Sequence, residues 1–462
     1  MMNADTTTSI GSHSELRELV CVQLQLLLEQ KNYEGVKTLL IPVQPVDIAE
    51  AIEDLPKTLQ IIAFRLLTKL EAIDVYEYLD PIVQQSLIQE FHDQEAIAIV
   101  NDMSPDDRAK LFDELPPKLV RRLIAQIAPK EREVTALLLG YQSDNAGRLM
   151  TPEYIALKEY LTATQAQGKL RTLAHKSEVN YYIYVTDANK RLIGILSLKD
   201  LIIAEPDQTL GEIMTQDVIY TYTDTDQEEV ARLIQRYDLL ALPIVDKDEN
   251  LLGVITVDDV IDIIQEEVTE DFYKMVAVES QGDNYFQVGL FEVVKKRIPW
   301  LLLLLITNSV TVIILSQYEA VLDEAVALAF FTPLLIGAGG NVGAQSSTVV
   351  IRGLSTEALR DKKPVSVIIR ELISGALLGI VLGPLVVIGI FLFFGHQEVG
   401  LTVGISLLVI TIIAATAGAA FPYIFKSFGL DPALMSAPFI TTIVDILGIV
   451  IYLNLAKIFL GV

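Results

Sequence analysis

Asp445 is the only charged residue in the apolar run "PALMSAPFITTIVDILGIVIYLNLA" (Pro432 to Ala456), where it is fourteenth of 25. Read as a membrane span, this run places a carboxylate near the bilayer midplane. A charge there costs several kcal/mol unless it faces water, a partner or an ion. Thr441 and Thr442, one turn earlier, could add hydroxyl oxygens to the same lining. A structural hydrogen bond to a neighbouring helix is the alternative use of such a carboxylate. An earlier run, "PLLIGAGGNVGAQSS" (Pro333 to Ser347), sets one Pro and four Gly beside Asn341, Gln345, Ser346 and Ser347. That composition predicts broken or closely packed backbone, which hydrocarbon tolerates only where it lines a cavity or is buried in protein. One carboxylate among neutral oxygens suits a cation that keeps its water, as Mg²⁺ does, whereas stacked carboxylate rings would suit Ca²⁺ better.

A second concentration of acids lies in "VDDVIDIIQEEVTEDFYKMVAV" (Val257 to Val278), with Asp258, Asp259, Asp262, Glu266, Glu267, Glu270 and Asp271. Most of these fall on i, i+3, i+4 and i+7 spacings and share one side of a helix. The stripe repels itself, and a divalent cation would cancel that repulsion. A solvated linker helix is the plainer alternative. Glu53, Asp54, Asp93, Glu95, Asp106 and Asp107 occur nearer the N-terminus and individually read as solvated helix surface, although together they set a field.

Charge is segregated along the 462 residues: 50 Asp and Glu against 25 Lys and Arg through Leu290, then 10 of each, so the whole net charge of −25 lies in the first part. A strong negative field repels nucleic acid and attracts cations. Cys21 is the single cysteine, and His13, His92, His175 and His396 are scattered, which argues against disulfides and against a zinc or copper site. No nucleophile–base pair, phosphate loop or metal–His motif stands at the spacing an enzyme would need. The first 30 residues show no basic stretch followed by an apolar run, so no cleavable signal peptide is expected and the N-terminus should stay in the cytoplasm.

The elements that must position these residues are also legible. Pro56, Pro81, Pro105 and Pro129 recur at steps of 25, 24 and 24, each where a new helix would begin. The pattern predicts stacked helix pairs in a short solenoid. A second internal repeat opens at "LMTPEYIAL" (Leu149) and again at "IMTQDVIYT" (Ile213), and it aligns Asp187 with Asp246, Gly194 with Gly253 and Asp200 with Asp259. Five runs are long enough to span a bilayer: Ile298 to Tyr318, Ala325 to Ile351, Leu372 to Gly395, Val399 to Phe425, and Pro432 to Ala456. Lys295, Lys296 and Arg297 precede the first, and Arg352, Arg360, Lys362, Lys363 and Arg370 bracket the second loop. Glu319, Asp323 and Glu324 fill the first loop, and Glu398 the third. The positive-inside rule then puts the N-terminal half in the cytoplasm and the C-terminus outside.

The duplicated unit resembles a tandem pair of CBS domains. That resemblance implies a regulatory module able to bind an adenine nucleotide such as ATP between the copies, with Asp200 and Asp259 as candidates for the ribose; helix capping is the structural alternative for both. The glycine-rich segment, "GLDPALMSAPFITTIVDILG" and the acidic helix, in this order behind a helical repeat and a CBS pair, resemble the MgtE family of Mg²⁺ channels over nearly the whole chain after about residue 15. The resemblance implies a homodimer in the lipid bilayer with the pore at its axis, passing Mg²⁺ by Asp445, Asn341, Thr441 and Thr442. It further implies closure by cytoplasmic Mg²⁺ held among Asp259, Asp262, Glu267, Glu270, Asp271, Asp431, Asp93 and Glu95. The chain departs from the pattern at Ala437, where some members carry Asn.

The expected fold is therefore multidomain. It comprises an acidic α-helical superhelical repeat domain (1–146), two α/β CBS domains (147–206 and 207–257), an acidic connecting helix and linker (258–290) and an all-α transmembrane domain of five spans (291–462). Transport of another divalent cation such as Co²⁺, or a nucleotide-sensing CBS regulatory membrane protein, are the alternative functions.

Overall fold

The computed structural model describes residues 10–91, 93–174, 177, 179–275, 290–324, 326–356, 358–359, 362–434 and 437–461. They form two compact units, 1–264 and 265–462.

The first unit opens with ten helices: α1 (Ile10–Glu29), α2 (Tyr33–Leu40), α3 (Pro45–Glu53), α4 (Lys57–Arg65), α5 (Lys69–Glu77), α6 (Pro81–Glu90), α7 (Asp93–Asp102), α8 (Pro105–Glu114), α9 (Pro117–Gln126) and α10 (Pro129–Leu138). Pro occupies the first turn of α3, α6, α8, α9 and α10, where its missing N–H costs nothing. Pro56 is instead the residue before α4. Each of α2–α10 has eight to ten residues, too short to be stable alone, so stability comes from packing between neighbours. A continuous core from Leu24 to Ile127 supplies it, with Ile48, Ile52, Tyr76, Leu87 and Ile88 fully enclosed.

Two small sheets follow, built alike. The first copy contains α11 (Ala146–Leu149), β1 (Tyr154–Lys158), α12 (Ala163–Leu173), β2 (Val179–Thr186), β3 (Leu192–Ser197) and α13 (Leu198–Ile203). The second has α14 (Leu210–Ile213), β4 (Thr221–Tyr222), α15 (Gln227–Tyr237), β5 (Ala241–Val245), β6 (Leu251–Thr256) and α16 (Val257–Met275). In each, the first strand pairs parallel with the second, and the second antiparallel with the third. The repeat-aligned aspartates make equivalent turns: Asp187 Oδ1 accepts from the N–H of Asn189 and Arg191, and Asp246 Oδ1 from those of Asp248 and Asn250. Lys190 and Glu249 then take the left-handed conformation that closes each hairpin.

The opening motifs are exchanged between the copies. Thr151, at the start of the first, exchanges backbone hydrogen bonds of 2.8 and 2.9 Å with Val254 of β6, and Thr215, at the start of the second, does so with Ile195 of β3 at 2.9 Å. Gly253 and Gly194 make room for this. A Cβ on Gly253 would lie 2.7 Å from the Met150 sulfur, and one on Gly194 would collide with Met214.

The second unit contains the end of α16 and five helices long and apolar enough to cross a membrane: α17 (Leu290–Ser316), α19 (Ala327–Ser355), α20 (Pro364–Phe394), α21 (Gln397–Ser427) and α22 (Ala437–Leu460). A short α18 (Glu319–Glu324) fills the first loop. Helix α21 lies at the centre, with more than half its apolar window buried against α19, α20 and α22. The spans differ from expectation at their ends. Helix α20 begins eight residues before Leu372, because Pro364 is a good first-turn residue and the polar stretch after it is still helical, so Arg370 and Glu371 belong to the helix and not to the loop. The fifth span begins only at Ala437, after a 3-10 turn over Pro432–Leu434.

Candidate cation pathway and regulatory carboxylates

Despite Pro333 and four glycines, α19 is unbroken from Ala327 to Ser355; Gly339, Gly340 and Gly343 serve close packing and not a break, while Gly337 has open space beside it. A Cβ on Gly340 would stand 3.2 Å from Thr441 Cγ2 and 3.6 Å from Asp445 Oδ1, which places the α19 backbone directly against these two residues of α22. Gly343 and Gly418 bring α19 and α21 together still more closely, since a Cβ on Gly418 would lie 2.3 Å from the Gly343 carbonyl oxygen.

Around Asp445 the polar groups divide. Asn341, next to Gly340, is exposed on the surface of the chain, as is Gln345 one turn on, whereas Ser346 and Ser347 are buried. Thr441 and Thr442 both donate their hydroxyls to the Pro438 carbonyl at 2.9 Å. Thr442 is 4% exposed and points into the packed unit, so Thr441 and not Thr442 shares the face of Asp445. Asp445 is ninth of 24 residues in α22, about 12 Å from its N-terminal end at 1.5 Å per residue, whereas the longer run from Pro432 made it fourteenth of 25. The late start at Ala437 is the cause.

One carboxylate of the membrane unit escaped the sequence reading. Ser346 donates its hydroxyl to Glu371 Oε2 at 2.7 Å, tying α19 to α20. Its only sequence signal was an acid at the edge of an apolar run.

The cytoplasmic carboxylates form two groups. In the first unit α8 brings Asp107 beside Asp258, Asp259 and Asp262 of α16. Burial pushes Asp259 up to about 6, against the Thr256 hydroxyl bond that lowers it, and the neighbouring Asp258 and Asp107 charges raise it further. Asp107 is likewise raised, first by burial, with Asp258 and Asp262 adding to it and Ser104 and Lys110 opposing. Helix α8 is pinned from behind: Arg108, with 0% side-chain exposure, pairs with Glu131 at 2.9 Å, and Asp113 pairs with Arg148. Asp106 is 8% exposed and Glu53 is half-buried, accepting from the Asp80 N–H, so neither they nor Asp107 are the solvated surface their sequence suggested. The apolar residues between them turn that helix face inward.

In the second unit Lys274 binds Glu270 at 2.6 Å and Asp431 at 2.8 Å, and the Ser355 hydroxyl donates to Asp271 at 3.2 Å. Burial is the main cause that raises Asp271, with the Asp431 charge next. Glu267 lies partly buried on the same stretch of α16. Glu95 is paired with Arg65 at 3.0 Å on the repeat helices, apart from the Asp107 group, and the side chain of Asp93 lies outside the described residues. Among the described residues no three carboxylate, His or Cys side chains converge as the ligand set of one metal ion. Asp200 is held in a capping box with Ser197, whose hydroxyl donates to its Oδ2 at 2.5 Å, and Asp259 receives the Thr256 hydroxyl in the corresponding place.

Residues 332–455 match the family model MgtE, a divalent cation transporter, residues 43–144 match the MgtE intracellular N domain, and 146–207 and 210–266 each match a CBS domain. The magnesium transporter MgtE of Thermus thermophilus is 38% identical over 448 residues, 96% of this chain and 99% of that protein. This chain belongs to the MgtE family. The MgtE of Bacillus subtilis is 35% identical over 95% of this chain and 97% of its own length. Among solved structures, the cytosolic domain of the Mg²⁺ channel MgtE in complex with ATP is similar at 37% identity and a TM-score of 0.51, covering 53% of this chain and 99% of that one. The soluble part of a magnesium transporter is similar at 27% identity and a TM-score of 0.51, covering 54% and 99%.

MgtE is a transporter family and not an enzyme family, as the lack of a catalytic constellation anticipated. Its membrane-domain model spans both Asn341 and Asp445, and its N-domain and CBS models cover the Asp107 to Asp262 group. A multi-pass membrane protein with cytoplasmic N-terminal domains follows from the family and the five apolar helices together.

Proposed function

We propose that the chain is a Mg²⁺ channel that works as a homodimer, imports Mg²⁺ across the cell membrane and is closed by Mg²⁺ on its cytoplasmic side, with the C-terminus outside. The observation that carries this reading is Asp445. It sits in a membrane-length helix against the bare backbone of Gly340, and among the described residues no group donates to it or pairs with it. An intramembrane carboxylate left in that state calls for a cation. Thr441, one turn before Asp445, and Asn341, next to Gly340, are the neutral oxygens on the accessible side, and a hydrated Mg²⁺ needs few direct ligands.

The gate reading rests on repulsion. Burial already disfavours the charge of Asp107 and Asp259, and Asp258 and Asp262 crowd them; burial does the same to Asp271, with Asp431 beside it. Carboxylates that do not converge as a cage hold a hydrated dication loosely and through water, so several weak sites acting together would supply the difference in affinity between closed and open states.

The test is Mg²⁺ flux into liposomes for the native chain and Asp445→Ala, with Mg²⁺ varied on the side of the cytoplasmic domains. The expected result is loss of flux in the variant and inhibition of the native chain by cytoplasmic Mg²⁺; native flux through Asp445→Ala would remove the pore assignment. We further propose that the CBS pair binds ATP, which the ATP-bound MgtE relative supports. Calorimetric titration of ATP checks this: no heat for the native chain ends the idea, and a loss confined to Asp200→Asn identifies the ribose partner.

A further inference from the structure

The carboxylates at the end of α16 and just before the 3-10 turn that leads into the fifth span are not waiting empty for an ion, because the chain supplies a cation of its own. Lys274 stands on the last turn of α16, four residues after Glu270 and seven after Glu267, so all three share one helix face. Its ammonium is bonded on one side to Glu270 Oε1 at 2.6 Å and on the other to Asp431 Oδ2 at 2.8 Å, 157 residues away in sequence. The other Asp431 oxygen accepts the Ala433 N–H at 2.8 Å, so the carboxylate has both oxygens engaged. Asp271 lies beside the pair, held by Ser355 and close enough to Asp431 to feel its charge.

We propose that Lys274 is a tethered counter-cation of the gate: its ammonium holds the position between Glu270 and Asp431 that a divalent cation would take, so that Mg²⁺ binds there only by displacing it. Lys274 thereby sets the Mg²⁺ concentration at which the channel closes. This deepens the gating reading above and rests on it. An ammonium suits the task, being a compact point charge on a flexible four-carbon stem that can withdraw without disturbing the helix. At 29% exposure its side chain also has a route to solvent once displaced. Glu270 and Asp431 contact one monovalent cation and Asp271 lies beside them, so the group keeps a net charge of −2 and still attracts a dication while the lysine is in place. The arrangement resists weak occupancy and yields to a sufficient concentration.

The test is the full-length chain reconstituted in liposomes, with flux measured against Mg²⁺ on the cytoplasmic-domain side for the native protein, Lys274→Met and Lys274→Arg. Removing the ammonium while keeping the stem should lower the half-inhibitory Mg²⁺ about five-fold, the size expected for loss of one partly exposed competing ion pair. Lys274→Arg, which keeps the charge, should stay within about two-fold of native by the same reasoning. The Mg²⁺ concentration that protects α16 from limited proteolysis should shift in parallel, independent of flux. An unchanged midpoint in Lys274→Met overturns the proposal, and a raised one overturns it in favour of a latch that holds the closed state. If the native chain is not inhibited by Mg²⁺ at all, the gating reading falls and this inference with it, whereas native inhibition with no shift in Lys274→Met removes the inference alone.

Discussion

Gly418→Ala should damage the membrane unit out of proportion to the single methyl it adds. The new Cβ would lie 2.3 Å from the Gly343 carbonyl oxygen, 3.1 Å from its carbon and 3.2 Å from Ser346 Cβ, and the first two are backbone atoms that cannot rotate away. Restoring an ordinary contact of roughly 3.3 Å requires α19 and α21 to part by about 1 Å. Overpacking of this kind costs roughly 1–3 kcal/mol, set against about 1 kcal/mol of helix propensity gained in replacing Gly by Ala. Gly337→Ala on α19 is the matched control, because nothing lies within 4 Å of its Cβ. It should keep the propensity gain and pay no packing cost. Thermal unfolding in detergent should therefore rank Gly337→Ala at or above native and Gly418→Ala below it. Flux through Gly418→Ala should fall as well, since the same movement carries Gly340 away from Thr441 and Asp445. Equal melting temperatures for the two variants, with native flux in both, would refute the close approach of these helices and the reasoning built on it.

Two further outcomes concern the cytoplasmic unit, whose similarity to separately solved cytosolic domains makes the fragment a practical subject. Glu131→Leu strands the Arg108 guanidinium in a site of 0% exposure and should destabilise the fragment by about 3–5 kcal/mol in urea titration, while Arg108→Met combined with Glu131→Leu should recover most of that loss; equal loss in both would show that the charge is not the problem. Because burial raises the folded pKa of Asp259 above its unfolded value of 3.8 to about 6, the folded state binds the proton more tightly, and stability without metal should rise as pH falls from 7 through 6 towards 4. The gain is at most about 3 kcal/mol, and Asp107 acts in the same direction. Melting in EDTA at pH 7.5 and 5.5 checks this, and a slope unaltered in Asp259→Asn would contradict it.

The parts of this protein that follow from local chemistry could be read from sequence. Hydropathy marks the five spans, and proline at N1 marks the repeat helices. The aligned Asp187 and Asp246 mark the two hairpins because each turn is made by the residue's own carboxylate and backbone a few positions on. What could not be read depends on which side of a helix faces inward. The pattern around Asp107 resembles a wet surface until α16 covers it. Thr441 and Thr442 are adjacent, yet only one faces the Asp445 side. The pairing of Lys274 with Asp431 joins residues 157 apart, and no spacing rule reaches that far. Glu371 fell one residue outside the apolar run that starts at Leu372, and only the longer helix from Pro364 brings it to Ser346. The start of the fifth helix was placed too early because the 3-10 turn at Pro432 reads as helix in composition alone.

The exchange of opening motifs between the two CBS copies shapes how a displacement can travel. Helix α8 is tied to α11 through Asp113 and Arg148; three residues later Thr151 is stitched to Val254; and three residues after that α16 begins. The repeat helices thus reach the acidic helix by a short circuit that runs through the second copy and bypasses the first sheet altogether. Helix α8 therefore meets the root of α16 in two ways, through the charge of Asp107 and through this stitched strand. The first sheet itself lies beside this route: only the opening motif of its copy takes part in it.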